Sequence, residues 1–199
     1  MRVTSGVLLA LAVSVCLLAG AQKRPGPTPP SRDPIVIDAQ GYRDLLARQR
    51  GKPLLVNFWA TWCEPCREEY PMVNELARKF ASQGLVVIGV SLDDDGEITL
   101  VRRFLARTRP VFSNYRKRPG NEQAFIETVN PQWSGAIPAT FFYAPDGRET
   151  KRLVGEHTRA EFEEAIRALL QRGSSSSSAP EARGQGRFRC SSMGSLHCC

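Results

Sequence analysis

The sequence predicts an α/β domain, with a central mixed sheet flanked by helices. Three observations carry that prediction. Short apolar runs of strand length, at 54–59, 85–90 and 140–143, alternate with longer stretches whose apolar residues recur at helical spacing. Two cysteines stand at one such junction, in Trp62-Cys63-Glu64-Pro65-Cys66, directly after an apolar run and before a helical pattern. Late in the chain, Pro145-Asp146-Gly147 marks a turn between two strand-like segments, the pattern of a hairpin.

The elements follow in order. Ile35-Val36-Ile37 is a short strand, and Tyr42, Leu45 and Leu46 give an amphipathic helix that ends near Gly51. Leu54 to Trp59 is a buried strand, apolar except for Asn57. The next helix starts around Cys63 and runs to about Gln83, with Val73, Leu76 and Phe80 on one face and Gly84 as the stop. Pro71 lies inside it and should kink it. Leu85 to Val90 is a second buried strand. Ile98, Val101, Arg102 and Leu105 mark a helix that ends before Pro110. Residues 108–120 read as a loop, and Gln123 to Val129 as a short helix. Thr140 to Tyr143 and Lys151 to Val154 form the hairpin. A capping box, Thr158-Arg159-Ala160-Glu161, opens the last helix, whose stripe is Phe162, Ile166, Leu169 and Leu170.

The ends have a different character. The chain has 199 residues, enough for one domain with segments to spare. Residues 1–21 carry a basic start at Arg2, an apolar run from Val7 to Leu18 and a small-residue site, Ala19-Gly20-Ala21. The run is about 13–15 residues, short of the ~20 needed to span a bilayer. It reads as an export signal, with an uncleaved membrane anchor as the alternative. Cys16 is a poor match to a lipid-attachment site. Residues 22–34 are a Pro-rich linker, 35–172 the domain, and 173–199 a Ser/Gly/Arg-rich tail expected to be disordered. In that tail Cys190, Cys198 and Cys199 are incidental thiols, or sites of adventitious metal binding or intermolecular disulfides. The net charge of +7 is spread over scattered arginines without an aromatic ladder. It suits a solvated surface, and no nucleic-acid partner is expected.

Export places the mature chain in an oxidising compartment, periplasmic or secreted. There a lone C-x-x-C stands out. Zinc needs four ligands, usually a second C-x-x-C or a His pair, and between Cys66 and the tail there is no further Cys and the only His is His157. A three-residue spacing closes too small a loop to stabilise a fold much. Chemistry at the pair is the better explanation. The strand–C-x-x-C–helix order sets a thiolate at a helix N-terminus, where it gains from backbone N–H groups.

The residues that carry this chemistry resemble a known family. Phe58-Trp59-Ala60-Thr61-Trp62-Cys63-Glu64-Pro65-Cys66, Pro71 five residues on, and Gly135-Ala136-Ile137-Pro138-Ala139-Thr140 are similar to the exported TlpA/ResA-type thiol-disulfide oxidoreductases. The resemblance covers roughly 35–172 and implies a thioredoxin-like fold with a cis proline at Pro138. Two departures stand out. Thioredoxin itself carries a buried Asp where this chain has Asn57, so something else must assist Cys66. Glu64 is one candidate, or else a solvated carboxylate at a helix start. The stretch from Asp93 to Ile137 is longer than a minimal connection and acts as an insertion before the cis-proline segment. It either shapes a substrate groove or packs Trp133 into the core.

The resemblance implies Cys63 as the attacking thiol and Cys66 as the resolving one. Arg67, four residues beyond Cys63, adds positive charge to the same helical face, while Glu64 opposes the thiolate. Pro65 stiffens the turn and supports a reducing couple. Ile137, beside Pro138, offers backbone to an extended substrate. Trp62 either flanks the site or packs in the core. No cofactor beyond the dithiol is expected. The partners implied are exported thiol proteins, apocytochrome c among them, and a membrane electron donor, with the enzyme a monomer. Two rival functions on the same fold are weaker. A peroxidase of the peroxiredoxin kind needs P-x-x-x-T-x-x-C, and neither cysteine ends such a window. A copper-delivery module resembles C-x-x-x-C with a distant His, and the spacing here is one residue short.

Overall fold

The structure, a computed structural model, describes residues 34–175. The export segment, all of the linker but Pro34, and the tail from residue 176, with Cys16, Cys190, Cys198 and Cys199, lie outside the described residues. Six strands form one sheet in the order β1-β4-β3-β2-β5-β6. They are β1 (Ile35–Ile37), β2 (Leu54–Trp59), β3 (Val86–Ser91), β4 (Ser113–Lys117), β5 (Ala139–Tyr143) and β6 (Glu149–Val154). The first four run parallel, β5 pairs antiparallel with β2, and β6 pairs antiparallel with β5. The helices are α1 (Ala39–Arg48), α2 (Glu64–Phe80), α3 (Ile98–Thr108), α4 (Glu122–Val129) and α5 (Arg159–Ser175).

The twofold period of β2 sorts its side chains between two cores. Leu54, Val56 and Phe58 face one side and pack with Tyr42 and Leu45 of α1 and Phe125 and Val129 of α4. Leu55 and Trp59 face the other, toward α2, α3 and α5. Every residue of β2 is buried, as a central strand covered on both faces requires. Each large apolar side chain so buried contributes roughly 1.5–3 kcal/mol. Trp133 belongs to the first core. It is 4% exposed, lies 4.8 Å from Phe58 and 5.4 Å from Phe141 between ring centroids, and donates its indole N–H to Ala136 O at 2.9 Å. It is a core plug, not the wall of a groove.

One expectation is corrected. The segment 108–120, read as a loop, contains β4. Ser113-Asn114-Tyr115-Arg116-Lys117 lacks the apolar alternation of a strand. It becomes one because it fills the gap between two others: Tyr115 pairs with Val90 of β3 on one edge and Ile35 of β1 on the other. The strand buries two cations, Arg116 at 5% and Lys117 at 3% exposure. Burial is tolerated because each has a carboxylate partner, Asp95 and Glu122 respectively. The stretch 93–137 is therefore folded throughout much of its length, as α3, β4 and α4.

Gly89, at the middle of β3, answers a close approach. A Cβ there would collide with Oδ1 of Asn114. That oxygen accepts a hydrogen bond from the Tyr70 hydroxyl at 2.8 Å, tying β4 to α2 across the sheet face. Among the described residues no helix is long and apolar enough to cross a membrane.

Candidate active site

The parallel strands β2 and β3 end together, and α2 starts shortly past the end of β2. Cys63 is the N-cap of α2, with extended backbone and Sγ accepting the Cys66 N–H at 3.3 Å. Pro65 occupies the first turn, where a missing N–H costs nothing. Cys63 and Cys66 are joined in a disulfide. Both are buried, with Cys63 the more exposed at 6% against 3%. They share an apolar cluster with Trp59 and Ala60, Tyr70 of α2, and Val101, Phe104 and Leu105 of α3. Ile137 packs against this cluster, and the Ile137–Pro138 peptide bond is cis.

The other residues singled out from the sequence are placed as follows. Trp62 is 58% exposed, so it lies on the surface beside the dithiol and not in the core. Glu64 is exposed at the first helical position, a favourable place for a carboxylate whatever else it does. Arg67 is exposed and donates from its guanidinium to Thr61 O at 2.7 Å. Its charge thus stays near the helix start while its hydrogen bond secures the loop before Cys63. His157 sits at the start of α5, where Nδ1 lies 3.2 Å from Glu161. Among the described residues no three His, Cys, Asp or Glu side chains are grouped as a metal site would need.

Two residues escaped the sequence reading. Glu69 is three residues after Cys66 on α2, hence on the same helical face one turn away. It is half-buried, and Asn57 of β2 donates to its Oε1 at 3.2 Å. Burial pushes its carboxyl up to about 7, against the opposing pull of the Asn57 amide and of His157, while Glu156 adds to the rise. The same Asn57 amide nitrogen donates to Thr140 Oγ1 at 2.9 Å, so the carboxyl is linked through one amide to the strand that follows Pro138. The available signal was a carboxylate bordering the buried stripe of α2. The second is Asp93, fully buried just beyond β3. Its carboxylate accepts from Thr61 N at 3.0 and 3.1 Å, from the Thr61 hydroxyl, and from Ser91 Oγ at 2.6 Å.

A disulfide at the N-cap of a helix, with a half-buried carboxyl one turn beyond Cys66 that burial pushes up to about 7, is equipped for thiol-disulfide exchange. Known proteins agree. Residues 34–148 match the AhpC/TSA family. Thiol-disulfide oxidoreductase ResA of a Bacillus cereus strain is 30% identical over 129 residues, covering 65% of this chain and 70% of that protein. The crystal structure of a thiol:disulfide interchange protein of the thioredoxin family from Chlorobium tepidum TLS superposes with a TM-score of 0.53 at 25% identity, over 62% of this chain and 83% of that one. A putative thiol:disulfide interchange protein DsbE from Chlorobium tepidum gives 0.52 at 25% identity, over 63% and 84%. The fold is thus thioredoxin-like, and the chain belongs to the AhpC/TSA family as a thiol-disulfide oxidoreductase of ResA/DsbE type.

Proposed function

We propose that this enzyme is a reductase of protein disulfides working outside the cytoplasm, with Cys63 as nucleophile and Cys66 as resolving thiol. The observation that carries the reading is Cys63 at the N-cap of α2 with Glu69 one turn beyond Cys66. In the reduced enzyme the helix N-terminus, with Arg67 nearby, favours the Cys63 thiolate. That thiolate attacks one sulfur of a substrate disulfide, and the other substrate sulfur leaves as a thiolate and takes a proton from water. Cys66 then loses its proton to the Glu69 carboxylate and attacks Cys63 Sγ. The second substrate thiolate leaves and is protonated. Two electrons have moved to the substrate, and the enzyme holds the Cys63–Cys66 disulfide.

Glu69 suits the proton step because its pKa near 7 lets it accept from a thiol and release to water at neutral pH. Asn57 cannot exchange a proton but holds the carboxyl that can. Ile137 and cis Pro138 offer extended backbone beside the dithiol, and Trp62 an apolar surface. The dithiol itself carries the electrons, with no further cofactor. The apolar segment before the Pro-rich linker supports export, to the periplasm or beyond or on a membrane anchor. There a reductase needs electrons from a membrane donor and acts as a monomer on exported thiol proteins, apocytochrome c among the candidates. The peroxidase and copper readings have no comparable support, since neither cysteine ends the peroxidase window and His157 pairs with Glu161.

The test is insulin reduction under dithiothreitol. Wild-type protein should accelerate it, Cys63→Ser should abolish the acceleration, and Cys66→Ser should accumulate a mixed disulfide with substrate. Undiminished reduction by Cys63→Ser would refute the assignment.

A further inference from the structure

The turn that delivers Cys63 to α2 is held at one residue, Thr61, by every polar group that residue has. Its backbone N–H and its hydroxyl both go to the Asp93 carboxylate. Its carbonyl accepts from Arg67 of α2. Asp93 is itself fixed on its other side: Ser91 Oγ donates to Oδ2, Asp93 N–H donates back to Ser91 Oγ at 3.1 Å, and Arg116 of β4 donates to the Asp93 carbonyl at 3.4 Å. Asp93, Ser91 and Thr61 are buried at 0, 0 and 8% exposure. A carboxylate so deep is costly unless fully hydrogen-bonded, and here the bonds converge on a residue two positions before Cys63.

We propose that Asp93 is a positioning residue for the dithiol: through Thr61 it fixes the turn so that Cys63 Sγ sits on the N-terminal axis of α2. This rests on Cys63 being the attacking thiol. The physical reason is geometric. The benefit of a helix N-terminus to a thiolate falls off within the first turn, so a loosened cap loses it. The charged groups around this corner are Glu64, Arg67 and Glu69 of α2, Asp93, and Arg116 with its partner Asp95. Ile98, Val101, Phe104 and Leu105 of α3, and Ile137 just before β5, pack in the apolar cluster that holds both cysteines.

Site-resolved alkylation tests it. Reduced wild-type protein, Asp93→Asn, Thr61→Val and Thr61→Ser are treated with iodoacetamide across the range of thiol ionisation, and Cys63 and Cys66 are followed separately by peptide mass spectrometry. Asp93→Asn and Thr61→Val should move the Cys63 midpoint up by about half a pH unit, the size of a helix-terminus interaction. Thr61→Ser, which keeps the hydroxyl, should stay at the wild-type value. An Asp93 acting only through its charge gives the opposite sign, because removing a negative neighbour lowers a thiol pKa. A merely structural Asp93 gives no shift in a folded variant. Either result overturns the proposal. If Asp93→Asn does not fold, the Thr61 pair decides, since both leave the buried charge in place: equal midpoints for Val and Ser overturn it. Should Cys66 alkylate at lower pH than Cys63, the assignment of the attacking thiol fails, and the proposal with it.

Discussion

Asn57 of β2 donates its side-chain amide to Glu69 of α2 at 3.2 Å, and the same nitrogen reaches Thr140 of β5 at 2.9 Å. The amide stands where a strand side chain facing α2 meets the helix that carries the dithiol. It stabilises the charged carboxyl and so partly offsets the burial that raises Glu69.

Removing the carboxyl should therefore slow resolution, not attack. In Glu69→Gln, decay of the mixed disulfide in single-turnover experiments should fall about 100-fold at pH 7, the usual worth of a positioned base. The rate of its formation should change little. Asn57→Ala should raise the Glu69 pKa further and move the pH dependence of the resolution step upward. A downward move would show that the amide does not favour the ionised form.

Stability should depend on pH in a defined window. Glu69 is raised from 4.5 to about 7, so the folded state holds its proton more tightly than the unfolded one. Its contribution is fully present below pH 4.5 and is lost as pH rises through about 7. Urea midpoints of the oxidised protein should fall across that interval. Glu69→Gln should remove the fall and gain up to about 3 kcal/mol at pH 8. Glu161 behaves oppositely: hydrogen bonds from Thr158 and His157 hold it down at about 2, so its contribution disappears as pH falls from 4.5 toward 2. The two windows do not overlap and can be separated by titration.

Trp62 is an exposed aromatic next to a buried dithiol. Trp62→Ala should leave the unfolding free energy from urea titration within about 0.5 kcal/mol of wild type, as surface substitutions do. It should raise the apparent KM for a protein disulfide severalfold, with little change for a small disulfide that cannot reach it. Equal effects on both would count against a docking surface.

Two core positions should be intolerant. Trp133→Ala empties a site bounded by Phe58 and Phe141 and should cost about 3–5 kcal/mol in chemical denaturation. Gly89→Ala drives a methyl into Asn114 and loosens its bond to Tyr70, with an expected cost of about 1–3 kcal/mol.

Much of this fold was legible in the sequence because its central strands and helices carry their own patterns. β2 and β3 are apolar runs, the stripe of α2 repeats at helical spacing, and Thr158 and Glu161 spell out a capping box that forms as written, with Thr158 N donating to Glu161 at 2.7 Å. β4 was illegible for a physical reason. Its identity comes from two neighbouring strands and from the partners of Arg116 and Lys117, which the local pattern does not announce. The site divides the same way. The C-x-x-C pair and Pro138 are local signals. Glu69 and Asp93 look like ordinary acidic residues until the fold partly buries one against Asn57 and fully buries the other against Thr61. In the sequence Asn57 points to Glu64, inside the motif, whereas the carboxyl that Asn57 meets is Glu69, further along the helix.

The reduction potential of the Cys63–Cys66 pair, measured by equilibration with glutathione or dithiothreitol, tests the reductase reading most directly. A value near −270 mV, about that of thioredoxin, is the predicted result. A value near −120 mV, about that of a strong periplasmic oxidant, would contradict it.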